Sequence, residues 1–249
     1  PVVGQNLWLS CPACLGELGS VRDGLQCARC NALYPVIDGI ADLRRGRKDY
    51  YFNPVARPAM QAIIRDAAEA HWARAIRRFM AEVNYNPDWL DNLVADGRYA
   101  WKLFLELPPD ARVLDLGCGL GNLTKNVAPH VGEVCALDLT WERLQFAQKR
   151  FALFNRGHRI TLVAGGDGKH LPFADGTFDA VLISGVLEWV ADDSTLWSNA
   201  SGRFGKAWRM LRAHFGRTNP RRMQLDFLRE IRRVLKPAGF AFIGIENRL

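Results

Sequence analysis

The sequence predicts an α/β fold with a doubly wound, mainly parallel sheet, preceded by a small metal-binding unit. Short apolar strands alternate with amphipathic helices from residue 111 onward, and a glycine-rich turn follows the first of these strands. These two observations predict the parallel sheet. A third observation, two close pairs of cysteines near the N-terminus, predicts the metal-binding unit.

The 249 residues divide into three predicted parts. Residues 1–43 are rich in turn residues and form the small unit. Residues 44–110 are predicted to be a linker and helices, and apolar positions at helical spacing predict one helix over residues 59–80. Residues 111–249 form the sheet domain, which includes a long insert at residues 191–222.

Composition and charge narrow the class of protein. Hydrophobic residues make up 49% of the chain, which is enough for a core, and no apolar run reaches about 18 residues, the length that predicts a membrane span. The start has no signal-peptide pattern, so we expect a cytoplasmic location. The net charge is +7, and residues 201–233 alone carry +8, which indicates a solvated helix face more than a phosphate-binding patch. The stretch RRGRKDYYFNP, residues 44–54, is interpreted as an exposed connector.

The stretch VLDLGCGLGN, residues 113–122, contains the glycine turn. Gly117, Gly119 and Gly121 can take a positive φ and let a ligand touch the backbone. Asp115 ends the strand and either contacts a ligand or braces the turn. Ligands of open parallel sheets bind beyond the carboxyl ends of the strands, where the strand order reverses. The pattern alone does not distinguish a structural turn, a dinucleotide site or another nucleotide site.

Acidic residues at the ends of later strands make the prediction more specific. Asp138 ends the second strand, where a carboxylate can accept both hydroxyls of a ribose. Asp167 follows the third strand and is positioned for an adenine amino group, with the N–H of Gly168 beside it for a ring nitrogen. A ligand with a ribose, an adenine and a charged amino-acid tail would bind at these positions and at the glycine turn.

Four motifs carry a family resemblance: VLDLGCGLGN, ALDLT, GGDGKHLPFADGTFDAVLISGVLEWV and IRRVLKPAGFAFIGIEN. In this order and spacing they resemble class I S-adenosylmethionine-dependent methyltransferases over roughly residues 98–249. The LPFADGTFD segment argues against the alternative, a nicotinamide-type Rossmann enzyme. The resemblance implies S-adenosylmethionine as cofactor, S-adenosylhomocysteine as product and a Rossmann-like sheet. The cofactor-binding residues expected from it are Asp115, Gly117, Cys118, Gly119, Gly121, Asp138, Leu139, Gly166, Asp167, Gly168 and Ser184.

The family's sheet has seven strands, the last two forming an antiparallel hairpin, whereas the sequence shows five. We therefore expect that the C-terminal strands are missing from this chain. Tyr99 and Trp101 precede the first strand and are expected either to cover the cofactor or to pack between helices.

The N-terminal cysteines follow the pattern C-x2-C-x12-C-x2-C, which can form a tetrahedral sulfur site for Zn²⁺. Disulfides, the alternative, suit exported proteins. Four thiolates close the coordination sphere, so the metal is expected to be structural. The segment also resembles the small zinc-ribbon proteins that activate some methyltransferases, and similar ribbons fused ahead of bacterial ones. Cys118 and Cys135 are expected to be small buried apolar residues. The predicted metal ligands are Cys11, Cys14, Cys27 and Cys30.

The expected reaction is an in-line displacement, in which alignment supplies much of the rate. His170, Glu188 and Glu246 are candidates for a base, and no catalytic residue is selected among them. The stretch SGVLEW after strand four lacks the motifs of amino-group and pyrimidine-carbon methylation, so a small-molecule, sugar or lipid acceptor is favoured. The alternatives are an RNA methyltransferase that uses the ribbon and the basic insert to bind phosphates, and a non-catalytic scaffold.

Overall fold

The structure is a computed structural model, and it contains a nine-stranded sheet in the order β1-β2-β3-β4-β7-β6-β5-β8-β9. The strands are β1 Leu18–Val21, β2 Gly24–Cys27, β3 Leu33–Ile37, β4 Ile40–Asp42, β5 Arg112–Leu116, β6 Glu133–Asp138, β7 Ile160–Ala164, β8 Phe178–Ser184 and β9 Leu235–Gly244. The residues that the structure describes are 8–46, 48–69, 71–94, 96–166, 170–187, 190 and 220–245.

Six α-helices accompany the strands in the described residues, together with 3₁₀ segments at Asp96–Phe104 and Ala128–His130. None of these helices combines the length and the apolar character that a membrane span requires. The α-helices are α1 Arg57–Ala68, α2 Trp72–Glu82, α3 Pro87–Val94, α4 Asn122–Val127, α5 Trp141–Phe154 and α6 Pro220–Val234.

The five predicted strands of the sheet domain, β5 to β9, are all present and all parallel to their neighbours. Every residue of β6 is buried, as expected for a strand covered by helices on both faces. The chain runs outward from β5 through β6 to β7, and then returns to the other side of β5 with β8 and β9. The strand order therefore reverses between β5 and β8, and this is where ligands bind in such sheets.

The small N-terminal unit is continuous with this sheet. Its last strand, β4, pairs in parallel with β7, with Ile40 opposite Leu162 and Asp42 opposite Ala164. At the other end of the unit, the ring of Trp8 lies 5.8 Å from that of Phe173 and therefore packs into the core of the sheet domain. The predicted boundary after residue 43 thus separates two parts that share one sheet and one core.

The single helix predicted over residues 59–80 is wrong, because α1 and α2 are separate helices. The break lets α2 fold back against α1, so that Arg74 and Arg78 approach the buried carboxylate of Asp66 at 3.7 and 3.0 Å. The apolar positions of both helices then enter one cluster, which also contains Leu120 and Phe146 of the sheet domain. The apolar periodicity predicted the buried positions correctly but did not reveal the turn between α1 and α2.

Candidate functional site

The three glycines of the turn have positive φ values, +79° for Gly117, +54° for Gly119 and +78° for Gly121. A Cβ on Gly117 would lie 2.3 Å from Val186, and a Cβ on Gly121 would lie 2.7 Å from Phe151. A Cβ on Gly119 would meet no atom within 4 Å. Two of the glycines therefore allow close packing, and the middle one borders open space.

The open space is a cavity of about 470 Å³ above the carboxyl ends of β5 and β8. Its volume lies within the range of small-molecule and cofactor sites. Five of the predicted cofactor residues line it: Asp115, Gly117, Cys118, Gly119 and Ser184. The rest of its wall consists of Phe52, Asn53, Pro54, Asn86, Asp88, Trp89, Tyr99, Leu120, Asn122, Leu123, Arg143 and Gly185.

Asp115 is fully buried beneath the turn, and the hydroxyl of Thr124 donates a 2.5 Å hydrogen bond to its carboxylate. Burial, with a smaller contribution from the nearby Asp138, raises the pKa of Asp115 to about 7, although the hydrogen bonds from Thr124 lower it. Near neutral pH the cavity wall therefore contains a carboxyl group that can gain or lose a proton, although its charge is poorly solvated.

Asp138 lies at the end of β6 and is 6% exposed. Its two carboxylate oxygens accept hydrogen bonds from the backbone N–H of Gly119 at 2.9 Å and of Thr140 at 2.7 Å. Asp138 therefore holds the glycine turn against the start of α5. Each carboxylate oxygen can accept a further bond, so these contacts are compatible with a ligand hydroxyl.

The other predicted cofactor residues lie elsewhere. Leu139 and Gly166 line a second, smaller space of about 50 Å³, which also borders His170, Pro12 of the N-terminal unit and Arg45 of the connector. Gly121 packs against α5. Asp167 and Gly168 lie outside the described residues, so their proposed contacts with adenine stay predictions.

The candidate bases do not line the main cavity in the described part of the chain. His170 is half-exposed, and its Nδ1 lies 3.8 Å from the carboxylate of Glu230. Glu188 and Glu246 lie outside the described residues, as does most of the insert at 191–222. Of the two predicted aromatic covers, Tyr99 lines the cavity, whereas Trp101 stacks on Phe242 of β9 at 3.9 Å.

Sequence reasoning missed the part of the wall that comes from the N-terminal helices and their connector. The interpretation of residues 44–54 as an exposed connector is wrong at its end, where Phe52 and Asn53 line the cavity. The Phe52 backbone is held by the Thr140 hydroxyl, with N–H and C=O both 3.4 Å from Oγ1. Asn122 is the last residue of the VLDLGCGLGN stretch, and Arg143 lies five residues after Asp138. Their positions in or near recognised motifs are the signals by which the sequence could have identified these two residues as part of the cavity wall.

The four predicted metal ligands converge, with all four sulfur atoms within 4.8 Å of one another. The Sγ atoms of Cys11 and Cys30 are 3.7 Å apart, and those of Cys14 and Cys27 are 3.5 Å apart. A tetrahedral zinc site with Zn–S bonds of about 2.3 Å places its sulfur atoms about 3.8 Å apart. The cluster therefore fits structural Zn²⁺, with no position left for substrate.

The two cysteine pairs are held by matching turns. Leu15 and Asn31, each directly after the second cysteine of a pair, both have a φ of 58°. Their N–H groups donate to the carbonyls of Cys11 and Cys27. Backbone N–H groups, that of Cys30 foremost, lower the pKa of Cys27 to about 6, which favours the thiolate that a metal requires.

Cys118 and Cys135 are buried, as expected for small apolar residues. Desolvation by burial raises the pKa of both thiols well above the usual value. Both side chains are therefore neutral thiols in the folded chain at neutral pH, which makes them poor nucleophiles.

The strand order, the glycine turn and the cavity at the switch point define a Rossmann-like nucleotide-binding fold. Residues 113–214 match the family model described as a methyltransferase domain. Residues 113–214 therefore correspond to a methyltransferase domain, and a four-cysteine ribbon precedes them.

Curated relatives match about two fifths to one half of the chain. A demethylmenaquinone methyltransferase of Lactiplantibacillus plantarum is 35% identical over 115 residues, which cover 43% of this chain and 48% of the relative. The ubiquinone/menaquinone biosynthesis C-methyltransferase UbiE of Burkholderia mallei is 31% identical over 133 residues, covering 50% and 54%. The chain thus spans about half the length of these relatives.

Among solved structures, the chain is similar to a Haloferax volcanii methyltransferase in complex with the Trm112 methyltransferase activator. The identity is 19% and the TM-score 0.43, with 72% of this chain and 57% of that chain covered.

Proposed function

We propose that the protein is an enzyme that transfers a methyl group from S-adenosylmethionine to a small-molecule, sugar or lipid acceptor. The observation that carries this proposal is the cavity above the glycine turn at the switch point of a methyltransferase domain. In this proposal Asp138 accepts the ribose hydroxyls, Asp167 and Gly168 contact the adenine, and the turn flanks the methionine part. Asp115 and Ser184 border the same space.

When bound, the cofactor supplies a methyl group on an activated sulfonium, and an acceptor that attacks the methyl carbon in line with the carbon–sulfur bond would displace S-adenosylhomocysteine. The chain's own contribution is alignment and the exclusion of water. Asp138 fixes the position of the turn through the N–H of Gly119. Phe52, Trp89 and Tyr99 form aromatic walls of the cavity. No proton-accepting residue is assigned, because a base is needed only if the acceptor must lose its proton before attack.

Binding of the cofactor is tested by calorimetric titration of the chain with S-adenosylhomocysteine. We expect micromolar binding, and we expect Asp138→Ala to weaken it by about 10- to 100-fold, because charge-assisted hydrogen bonds are lost. Asp110→Ala, at an exposed aspartate, is the matched control and is expected to bind normally. A folded chain that ignores both the methyl donor and the demethylated product would be a non-catalytic scaffold.

The acceptor class is supported by the relatives, which are named as methyltransferases of quinone precursors. A further relative, from Geobacter sulfurreducens, is named as a malonyl-[acyl-carrier protein] O-methyltransferase and is 35% identical over 89 residues. A screen for transfer of labelled methyl groups to metabolite, lipid, sugar and RNA pools tests the proposal. Label confined to RNA would reject it.

The RNA alternative is favoured by one observation, the basic face of α6. Arg221, Arg222, Arg229 and Arg232 are all exposed on this helix. Asp226 contacts Arg222 and Arg229 at 3.9 and 2.5 Å and so offsets part of the charge. If this face binds RNA, the affinity will fall steeply with salt, because each neutralised phosphate releases counterions.

A further inference from the structure

The main cavity is bordered by buried polar atoms that have no hydrogen-bond partner within the described part of the chain. They are Nδ2 of Asn53, Nδ2 and Oδ1 of Asn122 and Nε of Arg143. Asn122 itself is only 3% exposed, so water does not readily reach its amide. Buried polar groups are normally paired, and three unpaired residues around one cavity indicate a ligand that pairs them.

Arg143 also brings a positive charge to this wall. It lies in the first turn of α5, with its guanidinium 5.1 Å from the centre of the Phe52 ring. In the described residues Arg143 forms no ion pair, although Asp88 and Asp115 line the same cavity. Asp115 instead accepts the hydroxyl of Thr124. A half-buried guanidinium without a carboxylate partner is costly unless a ligand supplies the negative charge.

The unpaired atoms differ in kind. Nδ2 of Asn53, Nδ2 of Asn122 and Nε of Arg143 are donors, and only Oδ1 of Asn122 is an acceptor. A carboxylate offers acceptors alone, and the planar guanidinium matches its geometry. Donors therefore predominate at the place where the charge is positive, which is the arrangement that an oxyanion requires.

We propose that Asn53, Asn122 and Arg143 form a subsite that binds a carboxylate in the main cavity. The inference rests on the proposed function, since both sources of the carboxylate are ligands of a methyltransferase. It belongs either to the amino-acid tail of the cofactor or to the acceptor. None of the three residues was predicted to bind a ligand from the sequence.

The experiment is calorimetric titration of the chain with three probes. S-adenosylhomocysteine contains the amino-acid tail, 5′-methylthioadenosine lacks it, and benzoate is added after saturation with S-adenosylhomocysteine. The variants are Arg143→Gln, which removes the charge, and Asn122→Asp, which keeps the size and repels an anion. Arg156→Gln is the matched control, since Arg156 is exposed at the end of α5 and donates to Ala152.

If the cofactor supplies the carboxylate, both variants will bind S-adenosylhomocysteine about 10- to 100-fold more weakly and 5′-methylthioadenosine unchanged. If the acceptor supplies it, S-adenosylhomocysteine will bind equally to all variants, and benzoate will bind the unaltered chain but not Arg143→Gln. Melting temperatures close to that of the unaltered chain establish that the variants are folded.

The inference is overturned if the unaltered chain binds S-adenosylhomocysteine and neither variant changes the binding of any probe. It is also overturned if the affinities for S-adenosylhomocysteine and 5′-methylthioadenosine fall equally, since the loss would then not concern a carboxylate. An unaltered chain that binds neither nucleoside would instead reject the proposed function, and this inference with it.

Discussion

The ribbon and the cavity of this molecule are both ligand sites on turns, but they are assembled in different ways. The ribbon takes its four sulfur ligands from two short turns, each closed by a residue with a φ of 58°. The cavity takes its wall from the connector, α3, the glycine turn, α5 and the end of β8. Local spacing therefore determines the first site, and tertiary packing determines the second.

The two sites also depend on different sources of stability. The ribbon has short strands, and a unit of this size is expected to depend on metal ligation for its stability. The cavity is supported by the buried sheet and by the glycines that let α5 and Val186 approach the turn. The parallel pairing of β4 with β7 joins the two regions, so damage to one is expected to reach the other.

The largest expected effect is loss of the metal. Chelation, or Cys27→Ser, should remove on the order of 10 kcal/mol of ribbon stability, because metal binding supplies the folding energy of such units. Since Trp8 packs on Phe173 and Phe178, the melting temperature of the sheet domain should also fall. Zinc analysis together with thermal melting measures both effects. Cys135→Ala is the control and should keep one zinc ion per chain, and an unchanged melting temperature after zinc loss would show that the regions are independent.

The second effect is the dependence of stability on pH, which comes from a carboxyl group in the wall of the cavity. The folded pKa of Asp115 is about 7, against a usual value of 3.8. The stability that protonated Asp115 contributes is therefore complete below pH 3.8 and is lost as the pH rises through about 7, up to about 4 kcal/mol. Urea unfolding at pH 5 and pH 8 measures the part of this loss that falls between these values, about 2–3 kcal/mol, and Asp115→Asn should remove most of it. The same pH slope in both proteins would assign the titration to other groups.

These differences explain what the sequence could predict. The cysteine pairs and the strand–glycine–helix pattern are local, so the five parallel strands were predicted correctly, and the four cysteines predicted as metal ligands do converge. The part of the wall formed by Phe52 and Asn53 was missed, because nothing in the connector shows that Thr140 holds it over the turn. The break between α1 and α2 was missed because the apolar positions of both helices enter one cluster, which keeps the helical periodicity on both sides of the turn.

A third prediction compares two glycines of one turn. Gly121→Ala should cost about 2–4 kcal/mol, because a positive φ is combined with a contact of 2.7 Å to Phe151. Gly119→Ala should cost only about 1 kcal/mol of stability, since its Cβ would point into the cavity and meet no protein atom within 4 Å. We expect the order to reverse for ligand binding, where Gly119→Ala obstructs the cavity. Urea unfolding and titration with S-adenosylhomocysteine measure the two orders, and equal costs in both assays would contradict the assigned roles.

The smallest effect concerns the link between the two regions. Arg44, just after β4, forms two hydrogen bonds to Asp42 at 2.8 and 2.9 Å, and its guanidinium lies 5.0 Å from the centre of the Trp141 ring at the start of α5. Arg44→Lys keeps the charge but loses the paired geometry and the stacking, so we expect a cost of about 1 kcal/mol. Arg22→Lys, in the exposed turn between β1 and β2, is the control. If Arg44 only stabilises the contact between the two regions, urea unfolding will show a lower free energy of unfolding for Arg44→Lys. The affinity for S-adenosylhomocysteine will then change by less than about threefold. A larger loss of affinity would show that the ribbon helps to shape the site through α5.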